Sequence, residues 1–351
     1  MEEYHLNKLT IIIPTCNRHQ LLKRTIKYWS NYNVNLLILD GSDKRFDDAC
    51  LNSSKIKYIF DNKSLSDRLW KYNDYIKTEF VILGCDDEFY LQSALSKSIQ
   101  FLLDNPDYSC CAGLTAIFSK KTDDQFYIKD YYTKLENISL EEDSSYERVK
   151  KLFSNYVPNS IFSVIRSNIW KVCSKNVFKN DFGFFAADEL MFEFLVLVSG
   201  KSKKLKELMQ LRNGIEIPVR NTDEDKSRVL NKTIRKLWFN KNFKKKRENF
   251  LIATHNACHE VLINTKIKFS KEMISEIIEL YVKRSLLKIF LQLNLIIKIN
   301  SFCKSIIIRL KKIFIVSKSS SWIDYINIFE TQGILVNNKD LDKVISAIKN
   351  S

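Results

Sequence analysis

Three carboxylates follow one another directly after a predicted strand. Residues 80 to 90 read FVILGCDDEFY, in which an apolar run breaks at Gly84 and leads to Asp86, Asp87 and Glu88. Adjacent acids repel one another, and placing them at the end of a buried strand costs free energy unless a cation lies beside them. Oxygen ligands on a short turn suit Mg²⁺ or Mn²⁺, which keep open positions for water and phosphate. The pattern indicates a divalent metal site that holds a diphosphate, with a solvated acidic turn as the alternative.

The residues around this turn predict the elements that position it. Residues 9 to 13 are a β-branched run that stops at Pro14 and Thr15, and the apolar stripe in residues 20 to 29 predicts a helix. Further strands are predicted at residues 36 to 39, 56 to 60 and 80 to 83, with a helix at 65 to 76. Continuous apolar strands that alternate with helices are typical of a parallel sheet covered on both faces. The predicted fold class is therefore α/β, Rossmann-like and mostly parallel.

Several polar residues follow these strands. In such sheets ligands collect at the carboxyl ends of the strands, so Thr15, Asp40 and the Asp86-Asp87 pair are expected in one crevice. Arg68 lies in the helix before the strand of the acidic turn. It can reach a base or a diphosphate, because a guanidinium group fits phosphate oxygens. The alternative is a surface arginine.

Four segments together resemble a known family. They read IIIPTCNR (residues 11 to 18), LDGS (39 to 42), CDDEF (85 to 89) and AADEL (186 to 190). In this order and spacing they are similar to the inverting family-two glycosyltransferases with the GT-A fold, over about residues 8 to 215. The chain has seven glycines and contains neither GxGxxG nor GxxxxGK[ST]. Rossmann dehydrogenases and P-loop NTPases are therefore disfavoured.

The resemblance implies a donor site. It assigns nucleotide-sugar binding to Pro14, Thr15, Asn17, Arg18, Asp40 and Asp86. Asp40 would accept a hydrogen bond from the base, although an Asx turn is the alternative for this residue. Asp86 would contact the ribose or diphosphate, while Asp87, together with Glu88, would hold the Mn²⁺ or Mg²⁺ that bridges the phosphates. At Cys16 the family usually has an aromatic residue that stacks on the base, and a thiol offers no such face. The identity of the nucleoside therefore stays open, with uridine favoured.

The reaction also needs a base. Direct displacement at the anomeric carbon requires a carboxylate opposite the departing diphosphate, separate from the metal site. Asp188 and Glu189 fit, at the start of a helix predicted for residues 190 to 198. Acids that stabilise the helix dipole are the alternative. The resemblance favours a catalytic role. It does not decide which of the two acids is the base, and Asp188 is ranked first. An apolar surround that includes Phe184 and Phe185 would raise its pKa.

The excess positive charge lies in the C-terminal half. The formal net charge is +15, and residues 231 to 318 contain 20 Lys and Arg against 5 Asp and Glu, whereas the rest of the chain has 36 of each kind. We predict a catalytic domain at 1 to 215 and a basic, mainly helical region at 216 to 351. Amphipathic basic helices suit an anionic membrane surface. A solvated helical bundle and a nucleic-acid-binding segment are the alternatives.

Other features of the sequence bear on the cellular location of the protein. Residues 286 to 299 are apolar but contain Lys288 and Lys298 and fall short of the roughly 20 residues of a membrane span. Residues 1 to 9 do not resemble a signal peptide. The eight cysteines form no CxxC pair, which suits a reducing cytosol. The expected location is the cytoplasm, with peripheral attachment at the inner face of the membrane as the further option. His255 and His259 lie one helical turn apart, but without an HExxH motif they are expected to be surface or packing residues rather than a zinc site.

The sequence therefore predicts a metal-dependent, inverting glycosyltransferase. The donor would be a nucleoside-diphosphate sugar, with UDP favoured, and the acceptor a glycan or lipid-linked hydroxyl. A role in surface-polysaccharide assembly is implied by the resemblance alone. A sugar nucleotidyltransferase can share the fold. Such an enzyme is expected to have a glycine-rich nucleotide-binding loop, which this chain lacks. A non-catalytic membrane or nucleic-acid adaptor is the non-enzyme alternative.

Overall fold

A computed structural model describes most of the chain. It covers residues 5–120, 126–130, 138–158, 160–180, 182, 185–214, 234–261, 269–298, 326 and 329–349. The strands in these ranges are β1 (Leu9–Thr15), β2 (Asn35–Asp40), β3 (Ile56–Phe60), β4 (Phe80–Leu83), β5 (Phe89–Tyr90), β6 (Tyr108–Lys120), β7 (Phe126–Asp130), β8 (Val164–Arg166) and β9 (Lys201–Asn213). They form one nine-stranded sheet in the order β3-β2-β1-β4-β8-β6-β9-β5, with β7 paired to β6. The chain is thus a mixed α/β protein, as predicted.

The N-terminal half of the sheet is parallel. β1 pairs with β2 and β4, and β2 pairs with β3, all in parallel. The side chains of β2 and β4 are almost all buried, which explains why their sequences are continuous apolar runs rather than alternating ones. The register places Thr15 directly opposite Asp40. The polar residues that follow these strands therefore meet at one edge, as the sequence predicts.

The other half of the sheet is mixed. β4 pairs with β8 and β8 with β6 in antiparallel fashion, whereas β6 and β9 run parallel. β8 is short, with three residues, Val164–Arg166. β9 was not predicted at all. It pairs antiparallel with β5, so that Phe89 lies opposite Leu211 and Tyr90 opposite Gln210. This pairing brings β9 beside the acidic turn, which connects β4 to β5.

Helices cover the sheet. They are α1 (His19–Trp29), α2 (Leu65–Lys71), α3 (Gln92–Asp104), α4 (Ser145–Ser154), α5 (Ser167–Phe178), α6 (Phe185–Ser199), α7 (Ile234–Phe239), α8 (Lys244–Val261), α9 (Lys271–Lys298) and α10 (Asn338–Lys349). The side chain of Ser64 accepts a hydrogen bond from the backbone N–H of Asp67 and so caps α2. That helix ends before the predicted residue 76, and a short 3-10 turn follows it. α6 begins earlier than predicted and has Asp188 in its first turn.

The C-terminal helices pack on the rest of the chain. Phe250 and Cys258 of α8 lie in the same buried cluster as Phe194 of α6. α10 lies against α1, and its buried Asp340 accepts hydrogen bonds at 2.8 Å from the backbone N–H of Ser93 and from the side chain of Gln92. A carboxylate there stabilises the N-terminus of α3.

Parts of the predicted C-terminal region fall outside the described residues. They include residues 215 to 233, where the predicted domain junction falls, and residues 299 to 325 of the predicted helical region. The division at residue 215 stays a prediction. In the described parts of the chain, no helix has both the length and the apolar character that crossing a bilayer requires.

Candidate functional site

The ends of β1 and β4 join through a charged network. The Thr15 hydroxyl donates to Asp86 Oδ2 at 2.6 Å. Arg18, which immediately precedes α1, donates from Nε to the same oxygen at 3.0 Å and from Nη1 to Asp87 Oδ2 at 3.2 Å. Its Nη2 also contacts Asp86 Oδ1. An arginine therefore supplies the cation that adjacent carboxylates require, and four of the predicted donor-site residues lie together.

Asp86 is the most deeply buried acid of the turn. Its side chain is 0% exposed, and burial raises the pKa of the carboxyl to about 6, against the charge of Arg18 and the Thr15 hydrogen bond, which lower it. The Thr25 hydroxyl donates to the backbone carbonyl of Asp86 at 2.7 Å. The turn is thus held by side chains from β1 and α1.

Asp40 lies fully buried at the end of β2. Its Oδ1 accepts from the backbone N–H of Ser42 at 2.8 Å, and its Oδ2 accepts from the Tyr58 hydroxyl at 2.6 Å. Nε2 of His19 is 3.6 Å from Oδ2. The contact with Ser42 is the predicted alternative of an Asx turn. The contact of Asp40 with a base remains a prediction, and Tyr58 and His19 are neighbours that the sequence did not identify.

Arg68 is buried rather than exposed. It is 4% exposed, and its Nη1 donates to the backbone carbonyls of Thr15, at 3.2 Å, and of Leu39. The alternative of a surface arginine is therefore wrong. Arg68 thus forms hydrogen bonds to the ends of both β1 and β2, next to the predicted nucleotide site. No side chain at residue 41 separates the guanidinium group from the backbone, because that residue is Gly41.

Replacement of Gly41 by alanine is expected to destabilise this corner. The added Cβ would overlap Nη2 and Cζ of Arg68, and the buried guanidinium has little room to move. Overpacking of this kind costs about 1–3 kcal/mol, which thermal denaturation measures. A double-mutant cycle with Arg68→Ala provides the control. If Gly41→Ala is equally costly without the arginine side chain, the clash is not the cause.

A groove lies beside the N-terminus of α1. It has a volume of about 630 Å³ and is lined by Asn17, Arg18, His19, Gln20, Leu21, Asp43 and Lys44. Asn17 has a left-handed backbone with φ of 55°, and its side chain exchanges hydrogen bonds with Asp43 at 2.9 and 3.0 Å. Cys16 is buried, and its thiol donates to the carbonyl of Gly41 at 3.1 Å. Cys16 therefore packs behind the groove and offers no stacking surface, as its residue type predicts.

Glu88 points away from Arg18 and towards β9. Its Oε1 accepts from Nε of Arg212 at 2.8 Å, and its Oε2 accepts from the side-chain amide of Gln210 at 2.7 Å. Burial raises the pKa of Glu88, and the charge of Arg212 opposes this. The three carboxyls of the turn thus share two cations, Arg18 for the two aspartates and Arg212 for the glutamate. Sequence analysis missed Arg212 and Gln210 because it did not predict β9.

Arg212 also connects the turn to the predicted base. Burial raises the pKa of Glu189, while a hydrogen bond from Tyr156 and the charge of Arg212 lower it. The Tyr156 hydroxyl donates to Glu189 Oε1 at 2.8 Å. The guanidinium of Arg212 lies 5.0 Å from the ring centre of Phe162. The charge of Arg212 therefore favours the ionised forms of both Glu88 and Glu189 and links the acidic turn electrostatically to the start of α6. Asp188 lies beside Glu189 and is half-buried.

The acidic turn is suited to a divalent metal. The Cys85 thiol and the carboxylates of Asp87 and Glu88 have ligand atoms within 4.8 Å of one another. Among the residues that the structure describes, this is the only such group of three. Burial, followed by the neighbouring carboxylates, raises the pKa of the Cys85 thiol well above its usual value. Asp87 and Glu88 are the two residues for which metal binding is predicted, and the thiol is an additional donor.

Comparison with known proteins gives structural similarities only. No family model matches the chain, and no curated protein matches it either. The crystal structure of S. aureus TarS 1-349 in complex with UDP-GlcNAc is similar with a TM-score of 0.48 and 10% identity, over 79% of this chain and 72% of that one. S. aureus TarS 1-349 gives 0.42 and 12%, over 80% and 91%. A third structure of S. aureus TarS gives 0.40 and 11%, over 72% and 49%.

Proposed function

We propose that this protein is a metal-dependent glycosyltransferase. The donor is a nucleoside-diphosphate sugar, with UDP as the favoured nucleotide. The sugar is transferred to a hydroxyl of a glycan or lipid-linked acceptor, with inversion at the anomeric carbon. The observation that carries the proposal is the convergence at the sheet edge. On one side, Asp86 and Asp87 form ion pairs with Arg18. On the other side, Arg212 donates a hydrogen bond to Glu88, and its charge also acts on Glu189.

The two sides of this network suit two parts of one reaction. The groove at the N-terminus of α1 has a volume within the range of small-molecule sites. Two cations along it, Arg18 and Lys44, outweigh one carboxylate, Asp43, and favour an anionic ligand. Asp87 and Glu88 would hold the Mn²⁺ or Mg²⁺. A metal bound there would stabilise the negative charge that develops on the leaving diphosphate.

The second side provides a base. The acceptor hydroxyl gives its proton to a carboxylate of Asp188 or Glu189, and its oxygen forms the bond to the anomeric carbon. The bond from that carbon to the diphosphate oxygen breaks, and the electron pair stays on the diphosphate. A base with a raised pKa is better matched to this transfer near neutral pH. Burial acts on Glu189 in that direction.

Calorimetry with a panel of nucleoside diphosphates, with and without Mn²⁺, tests the proposal. The expected result is that one nucleotide, UDP, binds and that its binding requires the metal. The corresponding UDP-sugars should then lose their sugar slowly to water, as hydrolysis without an acceptor. Absence of nucleotide binding would refute the proposal. Release of pyrophosphate from UTP and a sugar phosphate would instead show a nucleotidyltransferase.

We also propose that the basic region attaches the protein to an anionic surface. Lys241, Lys244, Lys245 and Lys246 are exposed at the start of α8, near Phe239, which is 54% exposed. Cations beside an exposed apolar side chain suit the surface of a bilayer. Arg247 has a different role, because it donates to the carbonyls of Leu237 and Trp238.

Reversal of the four exposed lysines to glutamate is expected to abolish binding to vesicles that contain anionic lipid. High salt should have the same effect, because the Debye length falls from about 10 Å at 0.1 M to 3 Å at 1 M. Vesicle sedimentation measures both. Reversal of four exposed lysines elsewhere, Lys27, Lys55, Lys63 and Lys339, is the matched control and should leave binding intact. Equal binding to neutral vesicles, or none to either kind, would support a solvated bundle.

A further inference from the structure

The acidic turn contains a sulfur atom among its oxygens. Sγ of Cys85 and the carboxylate oxygens of Asp87 and Glu88 all lie within 4.8 Å of one another. Protein ligands bind divalent metals at about 2.0–2.6 Å, so two donors of one ion are separated by at most roughly twice that length. The three donors therefore lie close enough to contact a single cation.

The two carboxylates of this group are not equally available. Both oxygens of Glu88 already accept hydrogen bonds, from Arg212 and Gln210. Asp87 accepts a longer one, at 3.2 Å, from Arg18. The Cys85 thiol makes no hydrogen bond to any residue that the structure describes. Asp87 and Cys85 are therefore the donors that a cation reaches at the smallest cost in existing contacts.

We propose that Cys85 is a metal ligand of this site, as a thiolate beside the carboxylate of Asp87. The inference rests on the proposed function, which gives the reason for a metal at the turn. When the sulfur–metal bond forms, the proton of Sγ leaves to solvent, and no oxidation takes place. Thiolates favour transition metals, whereas Mg²⁺ prefers oxygen ligands only. The site should therefore select Zn²⁺ or Co²⁺ over Mg²⁺.

Ultraviolet absorption tests this assignment without measuring activity. A thiolate bound to Cd²⁺ or Co²⁺ gives a charge-transfer band that carboxylates do not give. We expect the band when the reduced full-length protein is titrated with either ion, and we expect Cys85→Ser to remove it. Cys50→Ser is the matched control, because Cys50 is also half-buried but lies outside the acidic turn. It should keep the band.

Metal affinity gives a second measurement. Loss of one ligand should reduce the affinity for Co²⁺ by about 10-fold or more, since loss of even an outer partner costs 10–100-fold. The affinity for Mg²⁺ should change much less. If Cys85→Ser does not fold, as circular dichroism would reveal, the native protein still gives an answer. Co²⁺ should then protect Cys85, but not Cys50, from alkylation followed by mass spectrometry.

The outcomes separate this inference from the proposed function. If UDP binds with Mg²⁺ or Mn²⁺ but no charge-transfer band appears, Cys85 is not a ligand and the proposed function stands. If the band appears and depends on Cys85 while no nucleotide binds, the thiolate site is real and the proposed function is wrong. A band that persists in Cys85→Ser would assign the metal to another cysteine and overturn the inference.

Discussion

Asp87→Ala is expected to abolish the metal-dependent binding of UDP while the protein stays folded. Asp87 is half-buried at the surface of the turn, and it accepts a hydrogen bond from Arg18 at 3.2 Å. Its removal should therefore disturb the fold little. It removes a metal ligand, for which a loss of about 100-fold or more in metal-dependent affinity is a modest expectation. Calorimetry with UDP at saturating Mn²⁺, and again after chelation of the metal, measures the difference.

The control isolates the role of the acid from a general change in charge. Asp74→Ala removes an exposed carboxylate outside the acidic turn and the groove and should leave UDP binding unchanged. Any weak UDP binding that remains after chelation should be the same in Asp87→Ala and in the unmodified protein, because only the metal-dependent part uses this carboxylate. If Mn²⁺ improves UDP binding equally in Asp87→Ala and in the unmodified protein, the metal does not bind at this turn.

The second large effect is expected at the start of α6. Asp188→Asn or Glu189→Gln should slow sugar transfer by about 10²–10⁴-fold, the usual contribution of a general base. Donor affinity should remain nearly unchanged, since the base acts on the acceptor. Single-turnover kinetics with a UDP-sugar, together with calorimetric UDP binding, separate the two quantities. If neither amide slows transfer, the base lies elsewhere.

Tyr156 distinguishes the two candidates. Its hydroxyl donates to Glu189, which favours the ionised carboxylate and lowers its pKa. Tyr156→Phe removes that hydrogen bond, so the pKa of Glu189 should rise. A base must be ionised to accept a proton, and the acidic limb of the kcat/KM profile should therefore move to higher pH. An unchanged limb in Tyr156→Phe, combined with a slow Asp188→Asn, would assign the base to Asp188.

Local patterns were sufficient for the parallel half of the sheet. β1, β2 and β4 are buried on both faces, so their sequences are nearly uniform apolar runs that stop at polar residues. The carboxyl ends of parallel neighbours must share an edge, and this alone places Thr15, Asp40 and the acidic turn together. The extent of α2 and α6 was less accurate, because helix ends depend on capping contacts that apolar spacing does not reveal.

The strand β9 could not be predicted from the residues of its own segment. Residues 201 to 213 read KSKKLKELMQLRN, in which lysines conceal the short apolar stretch that is buried. The strand exists because β6 and β5 pair with it on opposite edges. Such partners are distant in sequence, and no pattern within the segment identifies them. Arg212 and Gln210 were missed for the same reason.

By itself, the sequence determined the fold class and the sheet edge at which Thr15, Asp40 and the acidic turn meet. Only the tertiary structure decided which cation meets which acid. Arg18 faces the aspartates, and Arg212 reaches Glu88 from 124 residues away. The physical reason is that residue type and burial pattern act over one or two turns of chain. The charge environment of a carboxyl, and hence its pKa and its availability to a metal, is set by side chains that only folding brings near.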